Sequence, residues 1–412
     1  MRPSPVLDID FVRRQFPTLS DEWTLFDNAG GSVPLAAVID SVRDFMTRHP
    51  VQLGASYALS EEATARVRAG HEAMAELIHA DADEIVLGPS TTANLRLLAE
   101  ALRPQWRAGD EVVVTNLDHE ANVGCWRRLE STGIAVREWR ARPDSAALEL
   151  ADLEALVGER TRLVAFSHCS NIVGGLNDVA AIARRVHEAG GLVCVDGVAF
   201  APHRRVDVKA LGVDFYALSL YKTYGPHLAL LYGQRRHLLA ARSQNHFFID
   251  ETSLPAKLEP GSSNHELTAS LPAILAYFEA LDAHHFPGAG GERAKRLTRV
   301  AALLRQHEER LAGRLIEFLE SKKNIRIIGP VTADGRVRVP TISFVVDGRD
   351  ASEIPPLLDP QRIAVRFGHF YAYRLIRDLG LRERNGVVRV SMVHYNTAAE
   401  VERLIRALDT IL

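Results

Sequence analysis

Seven short apolar runs, each closed by turn or loop residues, constrain the fold of this chain more than any other feature. They are Ile85 to Leu87, Val112 to Thr115, Ile134 to Val136, Leu163 to Phe166, Leu192 to Val195, Phe215 to Leu218 and Leu228 to Tyr232. Unbroken apolar runs of this length read as strands buried on both faces, because a half-exposed strand alternates polar and apolar residues. Helical stretches lie between most of them. Asp178 to Gly191, for instance, reads DVAAIARRVHEAGG and ends in glycines that accept a left-handed helix terminus. Repeated strand–helix units predict an α/β domain on a mostly parallel, seven-stranded sheet covered by helices on both faces.

The texture changes near residue 285. HHFPGAGGERA is a Gly-rich break, followed by a long helix from Glu292 to about Lys322. Strands are expected near Ile325 to Ile328, Thr341 to Val346, Ile363 to Val365 and Val387 to Met392, with a closing amphipathic helix from Thr397 to about Leu412. Near the start, residues 8 to 15 read as a short helix capped by Asp8. In FDNAGGSVP, Phe26 to Pro34, Gly30 and Gly31 permit close backbone approach, and Ser32 and Pro34 open a helix. From Ser60 onward Ala63, Val67, Met74, Leu77 and Ile78 recur at helical spacing. The expected division is a large domain over residues 22–285 and a smaller α+β domain made of 1–21 and 286–412.

Composition bears on which functions are open. The 49 basic and 52 acidic residues nearly cancel, so no nucleic-acid footprint and no basic membrane-binding face is expected. Cys125, Cys169 and Cys194 are widely spaced and odd in number. They fit neither a disulfide framework nor a metal site, and they point to a reducing, cytoplasmic setting. The opening MRPSPVLDIDFVRRQFP has no continuous apolar core, so no signal peptide is expected, and no run approaches the length of a membrane span.

Two of the runs lead directly into chemistry. Leu192 to Val195 leads into Asp196, and Phe215 to Leu218 leads into Ser219, with Lys222 just beyond. On parallel strands these residues would share the rim where open α/β sheets bind ligands. A carboxylate and an amine so placed suit pyridoxal phosphate (PLP): the amine joins the aldehyde, and the carboxylate keeps the ring nitrogen protonated. A solvated lysine and a strand-end aspartate capping a loop would leave the same trace. GPSTTAN, Gly88 to Asn94, lies between strand and helix, which suits a phosphate or a plain N-cap. His119, in VVVTNLDHEANVGCW, suits stacking on a flat ring with proton transfer beside it, or burial against backbone. Asn171, in SHCSN, suits a bond to a phenolic oxygen or a simple turn. Arg389 lies inside the apolar strand GVVRVSM and needs a carboxylate partner, which a substrate or an internal acid could provide.

In order and spacing these motifs resemble the class V aminotransferases, the branch of fold-type I PLP enzymes that holds the cysteine desulfurases and selenocysteine lyases. The resemblance runs from FPTL to the C-terminus. It rests on Thr91–Thr92, DHEAN around His119, SHCSN around Asn171, VDG at Asp196, SLYKTYGP around Lys222, PGSSN around Ser262, AVRFGHFYA around Arg366 and RVSMVHYNT after Arg389. It implies that Lys222 carries the internal aldimine, Asp196 faces the pyridine nitrogen, His119 stacks on the ring and Asn171 bonds its oxygen. It implies that Thr92, the Ala93 backbone and Ser219 hold the phosphate, with Tyr221 able to donate to it. Ser262 would reach the phosphate of a neighbouring subunit, since the family builds its sites at a homodimer interface. Arg389 would clamp a substrate carboxylate, with Ala29, Arg366 and Tyr371 on the substrate side.

Departures from that pattern bear on the reaction. Desulfurases of this branch carry a nucleophilic cysteine in a GHHCA-like loop, whereas this loop reads GHFYA with Tyr371 in that place. A phenol cannot take up sulfur as a persulfide. The histidine expected before the lysine is Tyr221, and the glutamine expected three residues after Asp196 is Ala199. The expected function is therefore a PLP-dependent enzyme acting on an amino acid through an external aldimine and an α-carbanion, with β-elimination of the C–S lyase type preferred. Transamination and epimerisation are the alternatives, the latter using Tyr371 as an acid. A non-catalytic PLP-binding regulator is a further one, although nothing in the chain is left over for a DNA-binding module.

Overall fold

A computed structural model describes residues 5–19, 22–261 and 263–412. Its centre is a seven-stranded sheet: β1 (Ile85–Gly88), β2 (Glu111–Thr115), β3 (Ala135–Trp139), β4 (Thr161–Ser167), β5 (Leu192–Asp196), β6 (Phe215–Ser219) and β7 (Ala229–Gly233). The order across the sheet is β1-β7-β6-β5-β4-β2-β3. β7 runs against both its neighbours, and the other pairings are parallel. The mostly parallel seven-stranded sheet expected from the sequence is present.

Burial on both faces explains the unbroken apolar runs. Val113, Val164, Val193 and Leu218 pack into one core cluster, while their neighbours Val112, Leu163, Cys194 and Ala217 pack into another on the opposite face. Edge strand β3 is the exception. It was expected to end at Val136 but continues to Trp139, because Arg137 and Glu138 are held by ion pairs with Glu111 and Arg127 instead of by burial.

A second sheet has four strands, β8 (Ile325–Ile328), β9 (Thr341–Val346), β10 (Arg366–Gly368) and β11 (Val387–Ser391), in the order β10-β11-β9-β8 with every pairing antiparallel. One face packs on the long helix Arg293–Glu320 and the closing helix Ala398–Ile411, which bears a capping box on Thr397 and Glu400. The expected strand Ile363 to Val365 is divided. Ile363–Ala364 pairs in parallel with Thr24–Leu25, and only from Arg366 does the chain join the second sheet. Phe26, Ile363 and Val365 share a buried cluster, which is why the N-terminal segment takes that pairing.

The N-terminal helix forms with the cap expected of it, whereas the next helix starts later than expected. Residues 8–15 contain the helix Ile9–Arg13, with the Asp8 side chain accepting from the Phe11 N–H. The helix after FDNAGGSVP starts at Ala36, beyond Ser32 and Pro34, because Ser32 Oγ is occupied elsewhere: it accepts from the Tyr224 N–H at 2.9 Å and donates to the Tyr221 carbonyl at 3.1 Å. That loop thereby braces the turn carrying Lys222. Between the two sheets, the fully buried Arg338 guanidinium donates to the carbonyls of Val173, Val339, Pro330 and Thr341. Among the described residues no helix is long and apolar enough to cross a membrane.

Candidate active site

The C-terminal ends of β1, β4, β5 and β6 meet at one rim, and a cavity enclosing about 540 Å³, part of it open to solvent, lies against it. Its lining includes Thr92, His119, Asn171, Asp196, Ser219, Tyr221 and Lys222, so one hollow gathers residues from five separate connections. The lining also includes the hydroxyls of Ser90 and Thr91, which lie in the GPSTTAN stretch but were given no role of their own, and that of Ser167, which the sequence reading missed. Ser and Thr are too common at strand and helix ends for their identity alone to have revealed them.

Lys222 is 8% exposed, in the turn just past β6. Burial pulls its amine down to about 8, the neighbouring Arg389 charge pulls the same way, and Asp196 and Asp27 oppose. Its Nζ has no hydrogen-bond partner among the described residues. Asp196 ends β5; its Oδ1 accepts from the Val198 N–H at 2.9 Å, and burial raises its carboxyl above the usual range. A desolvated carboxylate with so few donors favours a cation beside it.

His119 is held to one tautomer. The Ala121 N–H donates to its Nδ1 at 3.0 Å, leaving the ring proton on Nε2. Burial and the charges of Lys222 and Arg389 push its pKa down to about 4, so the imidazole is neutral at pH 7. Thr91 opens the helix Thr91–Leu102, and its hydroxyl lies 2.8 Å from that of Ser219. Ser90 caps this helix by accepting from the Ala93 N–H at 3.1 Å. The N–H groups of Thr91 and Thr92 have no partner within the helix and carry the positive end of its dipole. Ala93 lies outside the cavity lining, with its N–H engaged by Ser90.

Arg389 also lies outside the lining, and its partner is an internal acid. Its Nη2 donates to Asp27 Oδ1 at 2.8 Å and its Nη1 to the Asn171 carbonyl at 3.1 Å, while the Phe370 ring lies 3.7 Å from the guanidinium. Arg366 reaches the other oxygen of the same carboxylate at 3.2 Å. Asp27 lies in the FDNAGGSVP loop, where nothing in the local sequence marks it as the partner of Arg389. Asn171 Nδ2 donates to the Phe370 carbonyl at 2.9 Å, so the GHFYA loop is tied to the cavity wall. Tyr371 is exposed, with its ring 5.1 Å from that of His119. Ala29 gives its N–H to Ser391 Oγ at 2.9 Å. Tyr221 stacks on His227 at 4.7 Å. Ser262 lies outside the described residues.

The site fits PLP on its own features. It has an unpartnered amine, a buried carboxylate, a flat neutral ring and a helix N-terminus flanked by hydroxyls; the buried Ser167 Oγ also finds no partner among the described residues. The chain's thiols are inert by comparison. Cys169, in the lining, gives its Sγ–H to the Gly174 carbonyl at 3.4 Å, and burial pushes its thiol up to about 12. Cys125 is likewise raised to about 12 by burial, and Cys194 is raised well above the usual value.

The chain matches the family model for aminotransferase class-V over residues 24–404. It is 42% identical over 418 residues to an aminotransferase-like protein, FGM3, of Gibberella zeae, covering 99% of this chain and 100% of that one. It is 35% identical over 418 residues to the cysteine desulfurase-like protein ustD of Aspergillus flavus, covering 99% and 91%. A solved structure, the cysteine desulfurase CsdA of Escherichia coli, superposes with a TM-score of 0.83 at 28% identity, covering 98% of each chain.

Proposed function

We propose a reaction for this chain, which belongs to the aminotransferase class-V family of PLP-dependent enzymes: β-elimination from an amino acid carrying a sulfur substituent at Cβ. The observation that supports it is the pairing of an unpartnered amine near pKa 8 with three thiols that burial keeps protonated. Such thiols cannot accept sulfur as a persulfide, whereas elimination needs no nucleophile beyond the base.

When bound, PLP supplies an aldehyde for linkage to amines and a ring that draws off electron pairs. Lys222 Nζ is the amine that holds it, and Asp196 holds the positive charge of its ring nitrogen. His119 offers a flat neutral face, and Asn171 offers its amide to the ring oxygen. Thr91, Thr92, Ser219 and the free N–H groups of the helix start hold the phosphate, with Tyr221 beside them. Arg389 receives the substrate carboxylate by exchanging Asp27 for it. Once freed, Lys222 Nζ takes the proton from the substrate Cα and delivers it to the departing sulfur. The Cα–H and Cβ–S bonds break, and water converts the resulting unsaturated amine into a keto acid and ammonia.

Incubating the cofactor-loaded protein with amino acids and cysteine S-conjugates tests this. Pyruvate with ammonia is the expected result. A matching keto acid with pyridoxamine phosphate would replace the proposal with transamination, an inverted stereocentre would replace it with epimerisation, and sulfane sulfur from free cysteine would overturn the reading of the thiols. A spectrum locked on bound substrate without turnover would favour a regulator. A cytoplasmic homodimer with shared sites, divided into a large unit over 22–285 and a small one from 1–21 and 286–412, belongs to the same proposal.

A further inference from the structure

A second, wider hollow of about 1080 Å³, part of it open to solvent, lies beyond the GHFYA loop. Arg366, Arg377, Arg382 and the rings of Phe367, Tyr371 and Tyr373 line it, and its lining holds no carboxylate. The three guanidinia are not equivalent. Arg377 is neutralised by Asp378 at 2.7 Å. Arg366 and Arg389 share Asp27, so two cations there meet one anion. Arg382 has no carboxylate partner among the described residues, and its guanidinium lies 5.8 Å from the Tyr373 ring centroid. The hollow therefore carries excess positive charge beside exposed aromatic faces.

It also adjoins the cofactor cavity. Tyr371 contacts His119, and the Phe370 carbonyl is bonded by Asn171, both residues of the inner lining. A side chain leaving the inner cavity past Tyr371 would enter the hollow. Guanidinia bind carboxylate, sulfonate and phosphate oxygens through paired N–H donors, and the rings accept a flat apolar spacer.

We propose that this hollow receives the far end of the substrate: an amino acid whose side chain extends outward through a flat or apolar spacer and ends in an anionic group. The proposal rests on the reading of the inner cavity as a PLP site for amino acids, and it names the substrate class of that site. Arg382 and Arg366 select for the terminal anion.

The test compares two cysteine S-conjugates of equal shape, S-(4-carboxybenzyl) and S-(4-carbamoylbenzyl), on the cofactor-loaded protein. At low salt kcat/KM should favour the carboxylate by about five-fold, the upper range for an exposed ion pair. That ratio should shrink toward one at about 0.5 M salt as screening shortens the reach of the charge. Arg382→Ala should reduce it at low salt, and Arg382→Lys should largely retain it. Equal rates for the two conjugates, or a ratio unmoved by Arg382→Ala, would overturn the hollow while leaving elimination in place. If neither conjugate is turned over, elimination fails, and calorimetric binding of the same pair decides separately: a carboxylate preference lost in Arg382→Ala supports the hollow, and its absence sinks it.

Discussion

The Asp27 carboxylate lies on both Arg389 and Arg366, so a substrate carboxylate must displace or share it. Replacing it tests that exchange from both sides. Asp27→Asn leaves a guanidinium that is 1% exposed without its counter-charge, and a loss of about 2 kcal/mol is expected, reduced from the fully buried case because Asp27 is partly exposed. The variant should melt earlier than the parent and be rescued more by an amino-acid ligand. Arg389→Ala should raise KM at least about ten-fold while the cofactor stays bound; an unchanged KM would assign the guanidinium to the fold alone. Lys222 makes a pH prediction. Burial lowers its pKa from 10.5 to about 8, so between those values the unfolded chain holds a proton that the folded one has released. Stability of the cofactor-free protein from this group should therefore rise with pH across that window, and Lys222→Met should flatten the rise. At this scale the need of Arg389 for an acid was legible from its apolar neighbours. Its partner was not, because Asp27 lies 362 residues away and only the fold brings the two together.

Strands announced themselves through unbroken hydrophobicity wherever both faces are covered, as in β4 to β6. β3 was cut short in the reading because an edge strand carries charges, and the divided segment at Ile363 carries no mark of which sheet each half joins. The GHFYA loop is the element where local geometry matters most. Phe370 and Tyr371 both have positive φ, 44° and 62°, held by the Asn171 and Glu120 bonds to their carbonyls. Beneath them Gly386 has φ +85°, and a Cβ there would overlap the Gly368 carbonyl. Gly386→Ala should cost about 1–3 kcal/mol through backbone strain and displacement of the loop. Urea unfolding measures the loss, and a raised KM reports the shifted loop. An unaltered midpoint would mean that the loop yields freely.

Seen whole, the molecule joins two sheets through polar contacts that no periodicity encodes. Arg338 is the clearest case, a buried cation among backbone carbonyls from β9, the segment before it and the loop after Asn171. Arg338→Met keeps much of the volume and removes the donors; the Val339 carbonyl keeps the Thr341 N–H, but those of Val173, Pro330 and Thr341 lose the guanidinium, so about 3 kcal/mol of stability should be lost. If the loss appears together with weakened cofactor binding, the junction also positions the loop of Asn171. Denaturant titration with and without PLP separates the two effects. A guanidinium satisfied by carbonyls alone cannot be anticipated from composition, since any surface arginine looks the same in a sequence.

The sealed cysteines have a practical consequence. With all three thiols buried and raised by burial, iodoacetamide or a maleimide should modify the native, cofactor-loaded chain only slowly, Cys169 being approached through the cofactor cavity alone. A single cysteine introduced on the surface away from both hollows would then be the fastest-reacting handle, so a fluorophore could be attached there without obstructing either.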